Sequence, residues 1–170
     1  MKFVTFAGLV ASALVSTAAA ANHSGKPTDF VGKAAPKFSV KTLEGESLTN
    51  AKLKGKVVVL DFWATWCTSC IKAGPTMQKI YDDNGGNVVV IGMDAKETKS
   101  RPAASTDYRK KHGYTYKFVS NADAAHKAFK GIGLPLIVVI GKNGVVRAVF
   151  DDFDPTKTGE QIEAAVKAAL

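Results

Sequence analysis

Three runs of the chain are apolar without polar alternation: residues 57–62, 88–91 and 136–140. They are rich in Val and Ile, as expected of central strands covered on both faces. Asp61 is the one charge inside the first run. Between the first two, Ile71, Met77, Ile80 and Tyr81 recur at helical spacing. They predict a helix starting at the cysteine pair, kinked at Pro75 and ended by Gly85-Gly86. Strand, helix, strand in that order implies a right-handed crossover and parallel pairing. Upstream, Phe38 and Val40 alternate as a short strand, and residues 42–47 read as a hairpin turn into a second strand near Leu48. Downstream, residues 94–102 read as a loop, 103–112 as a helix stopped by Gly113, and 116–119 as a short strand. Asn121 then suits the N-cap of a helix through Phe129 and Lys130. Lys142-Asn143-Gly144 is a hairpin turn with an antiparallel return at 145–150. Thr158 and Gln161 form a capping-box pattern before a helix carrying Ile162, Val166 and Leu170. The predicted class is α/β: a central mixed sheet flanked by helices, with an N-terminal β-hairpin and a central αβ insertion. No internal repeat or second domain is visible.

The first residues follow another logic. Met1-Lys2 supplies a positive start, residues 3–15 an apolar run, and Ala18-x-Ala20 or Ala19-x-Ala21 a small-residue cleavage site. The expected partition is a signal peptide at 1–21, a flexible linker at 22–30 and one folded domain at 31–170. An uncleaved anchor is the alternative, with a run short for a membrane span. The expected location is periplasmic or secreted. The net charge of +8 raises the question of nucleic acid. No Lys/Arg block with interleaved aromatics accompanies it, so no nucleic-acid partner is expected. Residues 96–117 carry seven Lys/Arg against two acidic residues, a candidate docking face for acidic partners or a solvated helical face.

Export changes the meaning of the only two cysteines, Cys67 and Cys70. A pair two residues apart closes too small a loop to staple a fold. A zinc site would want a second ligand pair at short spacing. A Cys-x-x-Cys pair at a strand-to-helix junction instead reads as a redox dithiol. Cys67 sits where helix N–H groups favour its thiolate, and Cys70, one turn in, is placed to resolve a mixed disulfide. Asp61, six residues before Cys67, either takes the proton from Cys70 during resolution or is a strand-end residue facing solvent. Pro135 opens an apolar strand after two glycines. It suits a cis peptide or strand-entry turn exposing the backbone of Leu134 to a bound peptide, or is a plain loop proline. Trp66 reads as an apolar apron beside the thiol or as core, and Trp63 as core. His23, His112 and His126 lack partners at ligand or triad spacing and read as surface residues. No metal and no cofactor beyond a redox-active Cys67–Cys70 disulfide is expected.

These residues carry a resemblance. Asp61 with the FWATWCTSC segment and Pro75 resembles the active-site segment of thioredoxins, and Gly131-Ile132-Gly133-Leu134-Pro135 is similar to their cis-proline loop. Gly32-x-x-Ala35-Pro36-x-Phe38, Thr42-Leu43-Glu44-Gly45 and Leu53-Lys54-Gly55-Lys56-Val57 are similar to the entry segment of extracytoplasmic TlpA/ResA-type members. The resemblance implies a thioredoxin fold, Cys67 as nucleophile, Cys70 as resolving thiol and Pro135 as the cis-proline. Three departures stand out: the acidic Asp61, the Thr68-Ser69 dipeptide without Pro or an acid, and no Asp after the strand that follows Pro135. They bear on a cytochrome c role rather than on the redox chemistry.

The expected function is therefore reduction of protein disulfides outside the cytosol by a monomer. It requires an extracytoplasmic electron donor, such as a membrane thiol-reductant transporter. The rivals are a disulfide-introducing oxidant, a thiol peroxidase, and a copper-binding assembly factor drawing on His126 or Met93.

Overall fold

The computed structural model describes residues 25–170; the expected signal peptide at 1–21 and the start of the expected linker lie outside the described residues. Its elements in chain order are β1 (Ser39–Lys41), β2 (Ser47–Thr49), β3 (Val57–Trp63), α1 (Thr68–Asn84), β4 (Val88–Asp94), α2 (Ala103–His112), β5 (Lys117–Val119), α3 (Asp123–Ala128), β6 (Leu136–Ile140), β7 (Val146–Phe150) and α4 (Thr158–Ala169). Five strands form one mixed sheet in the order β5-β4-β3-β6-β7. β4 runs parallel to β3 and β5 parallel to β4, while β6 and β7 run antiparallel to their inner neighbours. The predicted α/β architecture, with its N-terminal hairpin and αβ insertion, is thus the observed one.

Every residue of β3 is buried, including Asp61. Its alternation divides two cores. Val58, Leu60 and Phe62 face a cluster with Phe38, Leu48, Met93, Phe129 and Val138. Val57, Val59 and Trp63 face the other, which holds Cys67, Cys70, Met77 and Ile80 from α1 and Ile162 and Val166 from α4. Asp61 shares the parity of Val59 and Trp63, so it points to the α1 side. Burying seven consecutive strand residues makes register unforgiving, because a one-residue slip would carry Asp61 into the other core.

Both edges of the sheet are covered. Leu43 N–H donates to Phe118 O at 2.9 Å, docking the β1–β2 hairpin on β5. Gly32 N–H donates to Val146 O, and Val146 N–H to Lys33 O, both at 2.9 Å, laying a short segment along β7. These bonds occupy edge groups that would otherwise template pairing between chains.

Three local expectations differ. Within the stretch read as linker, Pro27–Phe30 forms a 3₁₀ turn with Pro27 buried, because the packed segment beside β7 begins earlier than composition suggests. α3 starts at Asp123 with Ala122 at its cap, not Asn121. Ala122 N–H is held by Asp94 O at 2.8 Å, while the Asn121 side chain accepts from Arg101. Thr158 is the first residue of α4, and its hydroxyl accepts from Asp154 N–H at 2.9 Å. That commits it to the preceding turn, and no capping box with Gln161 forms. α1 continues through Pro75 and ends at Gly85 in the left-handed conformation.

Candidate active site

β3 delivers the dithiol. The chain leaves the sheet after Trp63, turns at residues 64–66 and enters α1 with Cys67 at the N-cap. Cys67 and Cys70 form a disulfide with Cα atoms 5.3 Å apart. The Cys70 N–H donates to Cys67 Sγ at 3.3 Å, so Cys67 takes one of the donors a helix start leaves open. An anionic sulfur there is favoured twice, by the N–H group and by the positive end of a 17-residue helix. Both cysteines are buried, Cys70 the more deeply, and only a small edge of Cys67 meets solvent.

Beneath them lies Asp61, 2% exposed. Its Oδ1 has no protein hydrogen-bond partner. Burial alone raises its pKa to about 7. Its parallel neighbour across the ladder is Gly92. A Cβ on Gly92 would come within 3.0 Å of the Phe118 ring and 3.2 Å of the Tyr116 ring. The missing side chain therefore lets two aromatic rings close over the strand beside the carboxyl, which keeps water from it. Trp63, stacked on Tyr108 with ring centres 4.2 Å apart, extends the same wall. Such a carboxyl can exchange a proton near neutral pH, as general acid–base chemistry requires.

The opposite wall is the loop before β6. Leu134–Pro135 is a cis peptide; Pro135 is buried and Leu134 half-buried. Ile132 beside them is 75% exposed, and Trp66 across the dithiol is 51% exposed. The two are the most exposed large apolar side chains of the described residues, and Lys96 joins them by its hydrogen bonds to the Trp66 indole and to Ile132 O. The indole N–H of Trp66 donates to Lys96 O at 2.9 Å, which fixes its outward pose. Trp63 is core, as its sequence suggests.

Sequence reasoning placed His126 on the surface; it is buried. Its Nε2 lies 3.0 Å from Gly133 O, and its ring meets Phe62 edge-on at 5.5 Å. α3 turns it under the proline loop, and no spacing rule reports such a contact. A Cβ on Gly131 would sit 2.3 Å from that ring, so the loop passes over His126 only as glycine. Met93, also considered as a metal ligand, belongs to the core on the sheet face away from the cysteines.

Lys96 and Glu97 stood in the sequence only as charges of the 96–117 stretch, with no place at the site. Lys96 adopts a left-handed backbone at φ 57°, with its N–H held by Asp123 Oδ1 at 2.7 Å and its ammonium on Ile132 O at 2.5 Å. Glu97 accepts Thr65 N–H at 2.8 Å. Bonds from Thr65, Thr98 and Lys99 outweigh its partial burial and hold its pKa below the usual range. This turn ties the cysteine loop to the proline loop. A lysine where the backbone wants glycine or asparagine gives no sequence signal.

Comparison with known proteins agrees with this geometry. Residues 31–149 match the AhpC/TSA family. The chain is 35% identical over 141 residues to the thiol-disulfide oxidoreductase ResA of Bacillus thuringiensis, covering 81% of this chain and 77% of that protein. It is 36% identical over 142 residues to ResA of Bacillus anthracis, with the same coverage. The crystal structure of a thiol:disulfide interchange protein of the thioredoxin family from Chlorobium tepidum superposes with a TM-score of 0.67 at 27% identity, over 80% of this chain and 94% of that one. With a buried, paired Cys-x-x-Cys at the head of α1 and a cis-proline loop facing it, the chain belongs to the ResA-type thiol–disulfide oxidoreductases of the thioredoxin-like AhpC/TSA family.

Proposed function

We propose that this oxidoreductase works as a reductant of protein disulfides outside the cytosol, with Cys67 as nucleophile, Cys70 as resolving thiol and Asp61 as proton acceptor. The observation that carries the assignment is the asymmetry of the pair. Cys67 caps the helix and borders solvent, whereas Cys70 lies one turn in, more deeply buried, on the same side of the sheet as the buried Asp61 carboxyl. In the reduced protein the Cys67 thiolate attacks one sulfur of the substrate disulfide. That S–S bond breaks, a mixed disulfide forms and one substrate thiolate leaves. Ionised Asp61 takes the Cys70 proton, and the new thiolate attacks Cys67 Sγ. The second substrate thiol is released, and the Cys67–Cys70 disulfide carries the two electrons' worth of oxidation. The protein disulfide itself is the redox group, with no further cofactor.

Trp66, Leu134 and Pro135 bind the substrate in this scheme. The outward Trp66 supplies apolar contact, and the Leu134–Pro135 turn presents backbone for extended pairing with a peptide. The oxidised dithiol is returned to the reduced state by an extracytoplasmic donor, such as a membrane thiol-reductant transporter, and the protein acts as a monomer. The export signal at residues 1–21 supports a periplasmic or secreted site for the folded domain. No helix among the described residues is long and apolar enough to cross a membrane.

Cys70→Ser tests the order of attack. It should accumulate mixed disulfides on Cys67 with proteins of the native compartment, whereas Cys67→Ser should accumulate none. Trapping on Cys70 instead would overturn the assignment. The reduction potential tests the direction. A value well above the glutathione range, roughly −180 mV or higher, would make the protein an oxidant.

A further inference from the structure

The basic stretch 96–117 divides once its partners are known. Lys96 is bound to the proline loop. Arg101 reaches Asp94 and Asp123, Arg109 pairs with Glu44 and Lys117 with Glu46. Among the described residues Lys99, Lys110 and Lys111 make no ion pair within 4 Å. Two of these three, Lys99 and Lys111, line one cavity of about 230 Å³. Its other walls are Thr65, Ile71, Ala104, Asp107, Tyr108 and His112.

The position of this cavity matters more than its charge. Thr65 is two residues before Cys67, and Ile71 directly follows Cys70. The cavity therefore opens next to the segment that carries the dithiol, on the α2 side. Its floor is apolar: Ala104 and Tyr108 are buried and Ile71 half-buried. Its rim holds two exposed ammonium groups and the His112 ring, against the single carboxylate of Asp107. Folding leaves these amines unpaired while it spends their neighbours on internal carboxylates.

We infer that this cavity is a docking pocket for an acidic side chain of the substrate protein, an Asp or Glu close in space to the disulfide being reduced. The inference rests on the reading of Cys67 as the attacking sulfur. An apolar floor accepts the methylene stem of a Glu, and Lys99 and Lys111 meet its carboxylate. With both amines exposed, the contribution is to encounter rate and partner choice, and it is screened by salt. It selects acidic segments flanking the target disulfide.

Two synthetic disulfide peptides, identical except for a pair of Glu or a pair of Lys beside the disulfide, provide the probe. The fully reduced protein should reduce the acidic peptide with a single-turnover second-order rate constant roughly tenfold larger at low ionic strength, and the ratio should collapse toward one at about 0.5 M salt. The Lys99→Glu/Lys111→Glu variant should invert the preference. Its rate with an uncharged peptide disulfide should stay at the wild-type value, which shows that the dithiol chemistry is intact. An acid-to-base ratio unchanged by the double variant would overturn the pocket. So would an equal loss on all three peptides, since the lysines would then act on the thiolate rather than on the partner. Loss of reduction of the uncharged peptide by the wild-type protein would strike instead at the reductant reading on which the pocket rests. Lys110→Glu, with the third unpaired amine outside the cavity, should leave the ratio within about twofold.

Discussion

Replacing Asp61 with Asn should make the oxidised protein more stable at neutral and alkaline pH. The side chain is 2% exposed, Oδ1 lacks a protein partner and burial raises the pKa from 3.8 to about 7. An unfolded chain ionises this carboxyl near its ordinary value, so between about pH 4 and 7 the native state binds the extra proton. Stability therefore falls as pH rises through that window and levels off above it. At ~1.4 kcal/mol for each pH unit, the penalty approaches about 4 kcal/mol at pH 8, a sizeable part of the ~5–15 kcal/mol that holds an ordinary domain. Asn keeps the shape and cannot ionise. Wild type and Asp61→Asn should match within about 1 kcal/mol at pH 4 and diverge by up to about 4 kcal/mol at pH 8. Urea unfolding followed by tryptophan fluorescence from pH 4 to 8 reads both curves. Their difference isolates Asp61 from Asp94, whose pKa burial also raises, to about 6. A difference independent of pH, or a variant less stable at pH 8, would refute the buried, unpartnered carboxyl. The same substitution should slow resolution and prolong the mixed disulfide on Cys67, visible as an intermediate in quenched-flow samples.

Other expectations are local. Glu97→Ala leaves Thr65 N–H without its acceptor and should raise KM for a peptide disulfide several-fold and cost about 1–2 kcal/mol. Glu97→Gln, which keeps an acceptor oxygen, should recover most of both, and equal loss in the two variants would mean that the charge rather than the bond matters. Gly131→Ala drives a methyl group into the buried His126 ring and should destabilise by about 1–3 kcal/mol in urea. Met77→Ala opens the core under the dithiol and should cost about 2–5 kcal/mol. Thermal melts that leave either variant at the wild-type midpoint would contradict the packing described here.

Much of the fold was legible because its signals are local or periodic. Short Val/Ile-rich runs with almost no polar residue read as strands covered on both sides, so the burial of β3, β4 and β6 followed from pattern. Gly85 and Gly113 end their helices in the left-handed conformation, as glycine permits. The two cap assignments failed for one physical reason. Asn121 and Thr158 bond elsewhere, to Arg101 and to Asp154 N–H, and a side chain with two possible partners takes the one the tertiary structure brings near. His126 failed similarly: its surroundings come from a loop seven residues away in sequence. Within residues 96–117, the sequence shows seven cations alike, whereas the fold pairs several of them with carboxylates.

By itself the sequence determined the redox pair, its order along the chain, and its place where a buried strand gives way to a helix. Those follow from residue identity and from spacing, which are local facts. Only the tertiary structure decided that Asp61 faces the α1 side in an apolar setting, that Gly92 admits the aromatic rings beside it, that Lys96 and Glu97 join the two loops, and that Lys99 and Lys111 remain unpaired next to the segment that carries the dithiol. Each depends on which distant groups arrive at the same place. Burial and charge pairing are sums over spatial neighbours, and those neighbours are chosen by packing the whole chain.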